Sequence, residues 1–225
     1  LIARDDGAVI GAGRAGCSDI YGASSPEAAI AEIEHAVASA LAKAGVQPTD
    51  LAASAFSLAG ADWPEDFELL EEAMRVRGYG QTISVFNDAI GALRAGSPDG
   101  AGVAVACGTG TAIGARHPNG RIWHSSFWQE PQGAGELSRL TLRAVYRAEL
   151  GIDPPTLLTK RILEVFAAHS VQAVLHQLTA RDVPRPEIQR HLVRPLFDAA
   201  DEGDAAARRI VIAHGQALGD YAIAA

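Results

Sequence analysis

The chain has 225 residues, of which 48% are hydrophobic and 20% charged, and its formal net charge is −8 at pH 7. The length and composition are typical of a globular protein with a buried core and one large or two small domains. The negative charge argues against a nucleic-acid or anionic-membrane surface, and the lack of a signal peptide or long apolar run predicts a cytoplasmic protein.

The first segment contains VIGAGRAG (residues 9–16), which fits the G-x-G-x-x-G dinucleotide-binding fingerprint. That fingerprint needs a helix directly after its last glycine. Here CSDIYGASS follows, which is rich in turn formers, and the first strong helix start is Ser25-Pro26. We therefore predict a β-hairpin with Asp6-Gly7 as its turn, whose glycines allow close approach to a neighbouring element.

The next elements alternate between helix and strand. The sequence predicts an amphipathic helix over residues 26–45, a strand in LAASAFSLAG (51–60), a helix near 65–77 and a strand in TISVF (82–86). Consecutive αβ units favour parallel pairing, so the predicted class is α/β.

The loop GSPDGAG (96–102) is the candidate domain boundary, which predicts domains 1–97 and 98–225. Residues 102–125 are expected to form three strands, and the chain is expected to be helical from Gly135 onward, with Pro154-Pro155, Pro184 and Gly203 between helices. LIARDDGAVI at the start resembles IGARHPNGRI in the second half. This partial repeat predicts two duplicated domains, the first without its N-terminal strand and the second without its C-terminal strands.

The strongest candidate for a ligand-binding segment is the turn formed by Gly108, Thr109, Gly110 and Thr111. Glycines permit positive φ, and successive backbone N–H groups then converge on an anion, with threonine hydroxyls as further donors. The alternative is a simple hairpin turn.

A second candidate is FNDAIGAL (86–93), where a strand gives way to a helix. Side chains at the carboxyl ends of strands face the ligand crevice in open α/β sheets. Asp88 could there accept a proton from a substrate hydroxyl. In the alternative interpretation, Asn87 or Asp88 only caps the following helix.

Further polar residues could contact a polyol. Ser18 and Asp19 follow the first hairpin, although an Asx-type turn explains them equally well. Gly133 permits close approach, and Glu136 is expected in a first helical turn, where a favourable dipole interaction is the alternative role.

Some residues are expected to be structural. Trp128 is predicted in the core rather than on a sugar face, and Cys17 and Cys107 are predicted to be ordinary buried thiols. The histidines have no metal-ligand spacing and receive no role.

LAGA, FNDAIGAL, CGTGTAIGARHPNGRIW and the GAGELSRL…GIDPPT region together resemble the BadF/BadG/BcrA/BcrD ATPase family. This family includes N-acetylglucosamine kinases and belongs to the acetate and sugar kinase, heat-shock chaperone and actin superfamily. The resemblance implies duplicated ribonuclease H-like domains that bind ATP, Mg²⁺ and a sugar, with a homodimer as a compatible assembly.

The resemblance also implies site residues. Asp88 would be the general base, and residues 108–111 would bind ATP phosphate. The sugar site would draw on Ser18, Asp19, Asn87, Thr109 and the region from Gly133 to Glu136. Where sugar kinases of this group carry G-D-E-G-S, this chain has GAGELS. Either Ala134 stands in place of a sugar-binding aspartate, or the loop is one residue longer.

The expected function is therefore ATP-dependent phosphotransfer to a hydroxyl of a sugar or amino sugar. One alternative is an ATPase activator of a CoA-ester reductase or dehydratase, in which Cys107 would help to hold an iron–sulfur cluster. Another is a sugar-binding relative without catalytic activity, which the altered GAGELS loop would explain.

Overall fold

The computed structural model describes residues 1–97, 99–128, 133–181 and 191–225. The chain divides into two units. Unit 1 comprises Leu1–Ala104 and Gly114–Phe127, and unit 2 comprises Val105–Ile113 and Trp128–Ala225. Helices and sheets occur together in the chain, which confirms the predicted α/β class.

The first hairpin of unit 1 consists of β1 (Ile2–Ala3) and β2 (Val9–Gly11), which pair antiparallel. In the turn, the Arg4 backbone N–H donates to the Ala8 carbonyl at 3.0 Å, and the Gly7 N–H donates to the Arg4 carbonyl at 2.9 Å. Gly7 has φ = +85°, a conformation that favours glycine. The predicted hairpin with a turn at Asp6-Gly7 is therefore confirmed.

The helix α1 (Pro26–Ala44) begins as the sequence predicts. The Ser25 side chain accepts a hydrogen bond from the Ala28 N–H at 3.2 Å, and proline occupies the first helical turn. The helix ends at Gly45, which is left-handed with φ = +69°.

The glycines of the apparent dinucleotide fingerprint pack against α1. A β carbon on Gly11 would lie 2.2 Å from the Ala40 carbonyl oxygen, and one on Gly13 would lie 1.8 Å from the Ala36 carbonyl oxygen. These residues are glycine because the hairpin passes directly over the helix backbone, which explains the motif without a nucleotide.

The parallel part of unit 1 is a strand–helix–strand–helix segment. Its elements are β3 (Ala53–Leu58), α2 (Pro64–Val76), β4 (Thr82–Asn87) and α3 (Asp88–Gly96). β3 and β4 pair in parallel along their whole length. Apolar side chains of α1, α2 and both strands form the core beside them, among them Ile30, Ile33, Leu58, Leu70, Met74 and Val85.

Three further strands follow, as predicted: β5 (Gly102–Cys107), β6 (Thr111–Arg116) and β7 (Ile122–His124). They form a sheet in this order, and β6 and β7 pair antiparallel.

The turn between β6 and β7 repeats the hydrogen bonds of the first hairpin. The His117 N–H donates to the Arg121 carbonyl at 2.9 Å, and the Gly120 N–H donates to the His117 carbonyl at 2.8 Å. The Asn119 side chain accepts from the N–H two residues later at 3.0 Å, as the Asp6 side chain does at 2.9 Å. The sequence repeat is therefore a repeat of turn structure, whereas duplication of whole domains stays a prediction.

Beyond the β strands, unit 2 is helical, as predicted from Gly135 onward. Its described helices are α4 (Ala134–Glu149), α5 (Leu157–Val165), α6 (Val171–Thr179), α7 (Val193–Asp201) and α8 (Ala205–Ala224). They enclose their own core, which includes Leu137, Val145, Leu158, Ile162, Val174 and Leu196. The predicted helix break at Pro184 lies outside the described residues. In the described ranges, no helix has the length and apolar character that crossing a membrane requires.

Candidate functional site

The carboxyl ends of β3 and β4 bring two polar loops together, because the last pair in the parallel register is Leu58 with Asn87. The Asn87 side chain caps α3 by accepting from the Ala89 N–H at 3.1 Å. Its amide nitrogen donates to the Ala61 carbonyl at 3.2 Å and to Asp62 Oδ1 at 2.9 Å. The side chain of Asn87 is therefore engaged within the protein, which supports its role as a helix cap over a direct sugar contact.

Asp88 lies in the first turn of α3 and is half-buried. Burial raises the pKa of Asp88, the Ala89 backbone N–H opposes that rise, and the nearby Asp19 carboxylate adds to it. His124 acts in the opposite direction. Asp88 is thus a carboxyl group that binds a proton more readily than an exposed aspartate does.

The start of α3 is fixed to β3 by one hydroxyl. Ser57 Oγ donates to the Asn87 carbonyl at 2.8 Å and accepts from the Gly91 N–H at 2.8 Å. A β carbon on Gly91 would lie 2.4 Å from the same oxygen, so glycine is needed for this close approach. This contact explains the glycine in FNDAIGAL and positions the helix turn that carries Asp88.

Asp62 and His124 interact electrostatically with Asp88, and we call these three residues the Asp88 cluster. The sequence analysis gave neither Asp62 nor His124 a role. Burial raises the pKa of Asp62, and a hydrogen bond from Ser126 and the proximity of His124 oppose the rise. Burial lowers the pKa of His124, and Asp62 and Asp88 oppose that change. His124 Nδ1 lies 2.5 Å from Ser126 Oγ.

An exposed group of three aromatic residues, Tyr21, Trp63 and Phe127, lies in the same unit; we call it the aromatic group. The rings of Trp63 and Phe127 stack at 6.0 Å, and Tyr21 meets Phe127 edge to face at 5.4 Å. The Tyr21 hydroxyl lies 3.1 Å from both carboxylate oxygens of the buried Asp66, to which it donates. The aromatic group is therefore held in place while its rings remain open to solvent.

The two polar residues after the first hairpin have different surroundings. Asp19 Oδ1 accepts from the Tyr21 N–H at 2.9 Å, which is the Asx turn considered as an alternative. The Asp19 carboxylate nevertheless raises the pKa of Asp88, so it lies near the proposed base. Ser18 lines a separate cavity of about 440 Å³, which α1 and β3 also border.

The Gly108–Thr111 turn of unit 2 is exposed at its first three residues and closed by a 2.8 Å hydrogen bond from the Gly108 N–H to the Gly110 carbonyl. Neither glycine adopts the positive φ that glycine permits. A β carbon on Gly108 or Gly110 would also meet no atom of the described residues within 4 Å. Within the described ranges, neither backbone conformation nor packing requires glycine at these positions.

The structure places this turn in contact with Gly133, the other glycine that the sequence analysis selected. A β carbon on Gly133 would lie 2.2 Å from the Thr109 carbonyl oxygen, and the Ala134 N–H donates to the Gly108 carbonyl at 2.8 Å. Glu136 accepts from Arg139 at 2.8 and 2.5 Å, which favours a structural role in the first turn of α4. Residues 129–132 of the predicted loop lie outside the described residues.

Three expectations about structural residues are wrong. Trp128 is exposed rather than in the core, with 76% of its surface accessible. Cys17 and Cys107 are exposed rather than buried. Packing in a core therefore does not explain why tryptophan and cysteine stand at these three positions.

Comparisons with known proteins found relatives that are named as amino-sugar kinases. The N-acetylmuramic acid/N-acetylglucosamine kinase of Clostridium acetobutylicum is 28% identical over 183 residues, or 80% of this chain and 60% of that protein. The chain thus spans about three fifths of the curated relative's length. No protein-family model matches the chain, so the specific resemblance to the BadF/BadG family stays a prediction.

Two crystal structures share the fold, and both proteins are assigned as N-acetylglucosamine kinases. The one from Chromobacterium violaceum has a TM-score of 0.66 at 20% identity, over 98% of this chain and 74% of that one. The one from Porphyromonas gingivalis has a TM-score of 0.53 at 23% identity, over 80% and 62%. The chain is therefore similar to sugar kinases in both sequence and fold.

Proposed function

We propose that the protein is an ATP-dependent kinase that phosphorylates a hydroxyl of an amino sugar, with N-acetylglucosamine and N-acetylmuramic acid as the first candidates. The observation that carries this proposal is the half-buried Asp88 carboxyl group at the start of α3, whose pKa is raised by burial. The similarity to the Clostridium kinase supports it. The relatives give no support to the alternative of a CoA-ester reductase activator.

Asp88 is the proposed general base. Phosphoryl transfer asks the protein mainly to position the reactants and to stabilise charge. The raised pKa makes Asp88 a stronger base than an exposed aspartate, so it is suited to accept the proton of a sugar hydroxyl during attack. The hydrogen bonds of Ser57 and Asn87 hold the helix turn from which it acts.

The sugar is proposed to bind beside the aromatic group. Apolar C–H faces of a sugar ring pack well on exposed aromatic rings, and carboxylates accept hydrogen bonds from its hydroxyls. Asp19 and Asp62 are the candidate acceptors, since both interact electrostatically with groups of the Asp88 cluster. Roles for Ser18, Asn87, Gly133 and Glu136 stay predictions from the sequence resemblance.

The Gly108–Thr111 turn is proposed to bind ATP phosphate. Its glycines are exposed, and no contact among the described residues requires them, so a ligand that approaches the backbone closely would explain their identity. Backbone N–H groups and the two threonine hydroxyls are suitable donors for phosphate oxygens.

Mg²⁺ is proposed to arrive with the nucleotide. In the described part of the chain, no group of three or more His, Cys, Asp or Glu side chains could hold a metal ion. A protein site of that kind is not required, because Mg²⁺ keeps several waters and needs only one or two carboxylates beside substrate phosphates. When bound, the ion would neutralise phosphate charge.

The test is an ATP-dependent phosphotransfer assay of the full-length protein with both amino sugars, comparing wild type, Asp88→Asn and Asp5→Asn. Loss of the base should lower kcat by about 10²- to 10⁴-fold, while calorimetry shows sugar binding retained. Asp5, which is exposed in the first hairpin turn, is the matched control and should leave kcat unchanged. Wild-type turnover by Asp88→Asn would remove Asp88 from the mechanism, and sugar binding without transfer by the wild type would favour a non-catalytic relative.

A further inference from the structure

A chain of hydrogen bonds connects β7 to the start of α3 within unit 1. His124 Nδ1 lies 2.5 Å from Ser126 Oγ, and Ser126 also hydrogen bonds to the Asp62 carboxylate. Asp62 Oδ1 accepts from the Asn87 side-chain amide at 2.9 Å. Asn87 in turn accepts from the Ala89 N–H at 3.1 Å. The last step belongs to the helix turn that carries the proposed base.

The donors and acceptors of this chain have one consistent direction. An ionised carboxylate only accepts, so the single hydroxyl proton of Ser126 is directed to Asp62. Ser126 Oγ must then accept from His124, which places the proton of the neutral imidazole on Nδ1. The burial that lowers the pKa of His124 favours this neutral form.

Two further observations indicate that the arrangement is held in place. Ser126 has φ = +39°, a left-handed conformation that is costly for a residue other than glycine. The ring of Phe67, on α2, packs against the His124 imidazole with centroids 6.1 Å apart. Side chains from α2 and from the segment after β7 therefore hold the His124 imidazole in place.

We propose that His124 is a positioning residue for Asp88: its Nδ1–H orients Ser126 and Asp62, which hold the Asn87 cap and so the first turn of α3. The inference rests on the proposed function of Asp88 as the general base. His124 does not contact the substrate in this scheme. His124 contributes to the position of Asp88 through the hydrogen bond that its Nδ1–H donates, and not through a positive charge.

Substituting His124 by asparagine or by leucine tests whether the hydrogen-bond donor or only the volume of the side chain matters. The asparagine amide can donate from nearly the place of Nδ1, whereas leucine fills space and cannot donate. We expect His124→Leu and Ser126→Ala to lower kcat by roughly ten- to a hundredfold, since small misplacements of a catalytic group have effects of this size. His124→Asn should restore most of kcat. His35→Leu, at an exposed histidine of α1, is the matched control.

A second measurement does not depend on kinase activity. Amide hydrogen exchange of residues 87–91 should become faster in His124→Leu and Ser126→Ala, and should return towards the wild-type rate in His124→Asn. The ¹⁵N shifts of the His124 ring should report a proton on Nδ1 in the neutral form. If the wild type transfers no phosphate, the proposed function fails, and the exchange rates and ring shifts still decide whether the chain of hydrogen bonds positions α3.

Three outcomes would overturn the proposal. Unchanged kcat and exchange in both His124→Leu and Ser126→Ala would show that the chain does not position the helix. Equal loss in His124→Asn and His124→Leu would show that the donor is not what matters. A neutral ring protonated on Nε2 would contradict the direction of the hydrogen bonds. Should His124→Leu not fold, His124→Asn, Ser126→Ala and the ring shifts still test the same claim.

Discussion

Gly91 shows how a single hydrogen atom in place of a side chain positions the proposed base. A β carbon there would lie 2.4 Å from Ser57 Oγ and 2.6 Å from Ser57 Cβ, far inside contact distance. The Ser57 hydroxyl cannot move away freely, because it donates to the Asn87 carbonyl and accepts from the Gly91 N–H. The helix and the strand must separate if the side chain at this position grows.

We therefore expect Gly91→Ala to destabilise the protein. Overpacking costs about 1–3 kcal/mol, which exceeds the gain of roughly 0.5–1 kcal/mol that alanine brings to a helix interior. Gly96 in the same helix is the matched control, since a β carbon there meets no atom of the described residues within 4 Å. Urea unfolding should show a lower free energy of unfolding for Gly91→Ala and an equal or higher one for Gly96→Ala. Equal values for the two variants would mean that α3 and β3 are not in this close contact.

At the level of secondary-structure elements, the Asp204 carboxylate accepts hydrogen bonds at the starts of two helices in unit 2, α5 and α8. It caps α8 by accepting from the Ala207 N–H at 2.8 Å. It also accepts from the Leu157 N–H at 2.8 Å and from the Thr156 hydroxyl at 2.9 Å, at the start of α5. Three donor residues, of which Thr156 and Leu157 are distant in sequence from Asp204, thus depend on one buried acceptor.

The pKa of Asp204 predicts how the stability that its hydrogen bonds provide changes at low pH. Burial alone would raise the pKa, but the hydrogen bonds from Ala207, Leu157 and Thr156 outweigh it, so the pKa is lowered. A carboxyl group with a lowered folded-state pKa stabilises the protein fully above its unfolded-state value of about 3.9. That stabilisation is lost as the pH falls through the folded-state pKa.

We expect Asp204→Asn to lower the free energy of unfolding at pH 7 by about 1–3 kcal/mol, the cost of unsatisfied or weakened buried hydrogen bonds. The difference from wild type should shrink as the pH falls below about 4, where the wild-type carboxylate also becomes protonated. Urea unfolding at pH 7 and pH 3 measures both values. Asp201→Asn, at an exposed aspartate of α7, should show neither effect. A difference that is independent of pH would exclude ionisation of Asp204 as the cause.

At the scale of the whole molecule, local signals predicted most elements. Ser25-Pro26 marked the start of α1, Asp6-Gly7 marked the first turn, and the alternation of apolar strands and helices indicated parallel β3 and β4. The helix start and the turn depend on hydrogen bonds between residues close in sequence, and for that reason they are visible without coordinates. The parallel pairing of β3 and β4 is long-range, but the alternation of strand and helix along the chain indicates it.

The residues around Asp88 were only partly predictable. Asp88 stood out because it follows a strand, but Asp62 and His124 join it from segments far along the chain. No local spacing connects an aspartate after β3 with a histidine at the end of β7. Similarly, the aromatic group assembles from Tyr21, Trp63 and Phe127, each of which reads alone as an ordinary apolar residue.

Because each unit has its own hydrophobic core, we can predict how a truncated core side chain affects the stability of each unit. Leu70 is fully buried among residues of unit 1, including Ile33 and Met74. Leu196 is fully buried among residues of unit 2, including Leu158 and Val174. Among the described residues, neither of these hydrophobic clusters contains a residue of the other unit, so the packing energy that each leucine provides belongs to its own unit.

We expect Leu70→Ala and Leu196→Ala each to cost about 2–5 kcal/mol, with the loss confined to one unit. Hydrogen exchange followed by mass spectrometry should become faster in α1 and α2 for Leu70→Ala, and in α5 and α7 for Leu196→Ala. Local openings with separate free energies are what proteins with separate cores show. Equal acceleration of all four helices by either substitution would mean that the two units unfold as one, because a shared transition transmits any loss of stability to every amide that it protects.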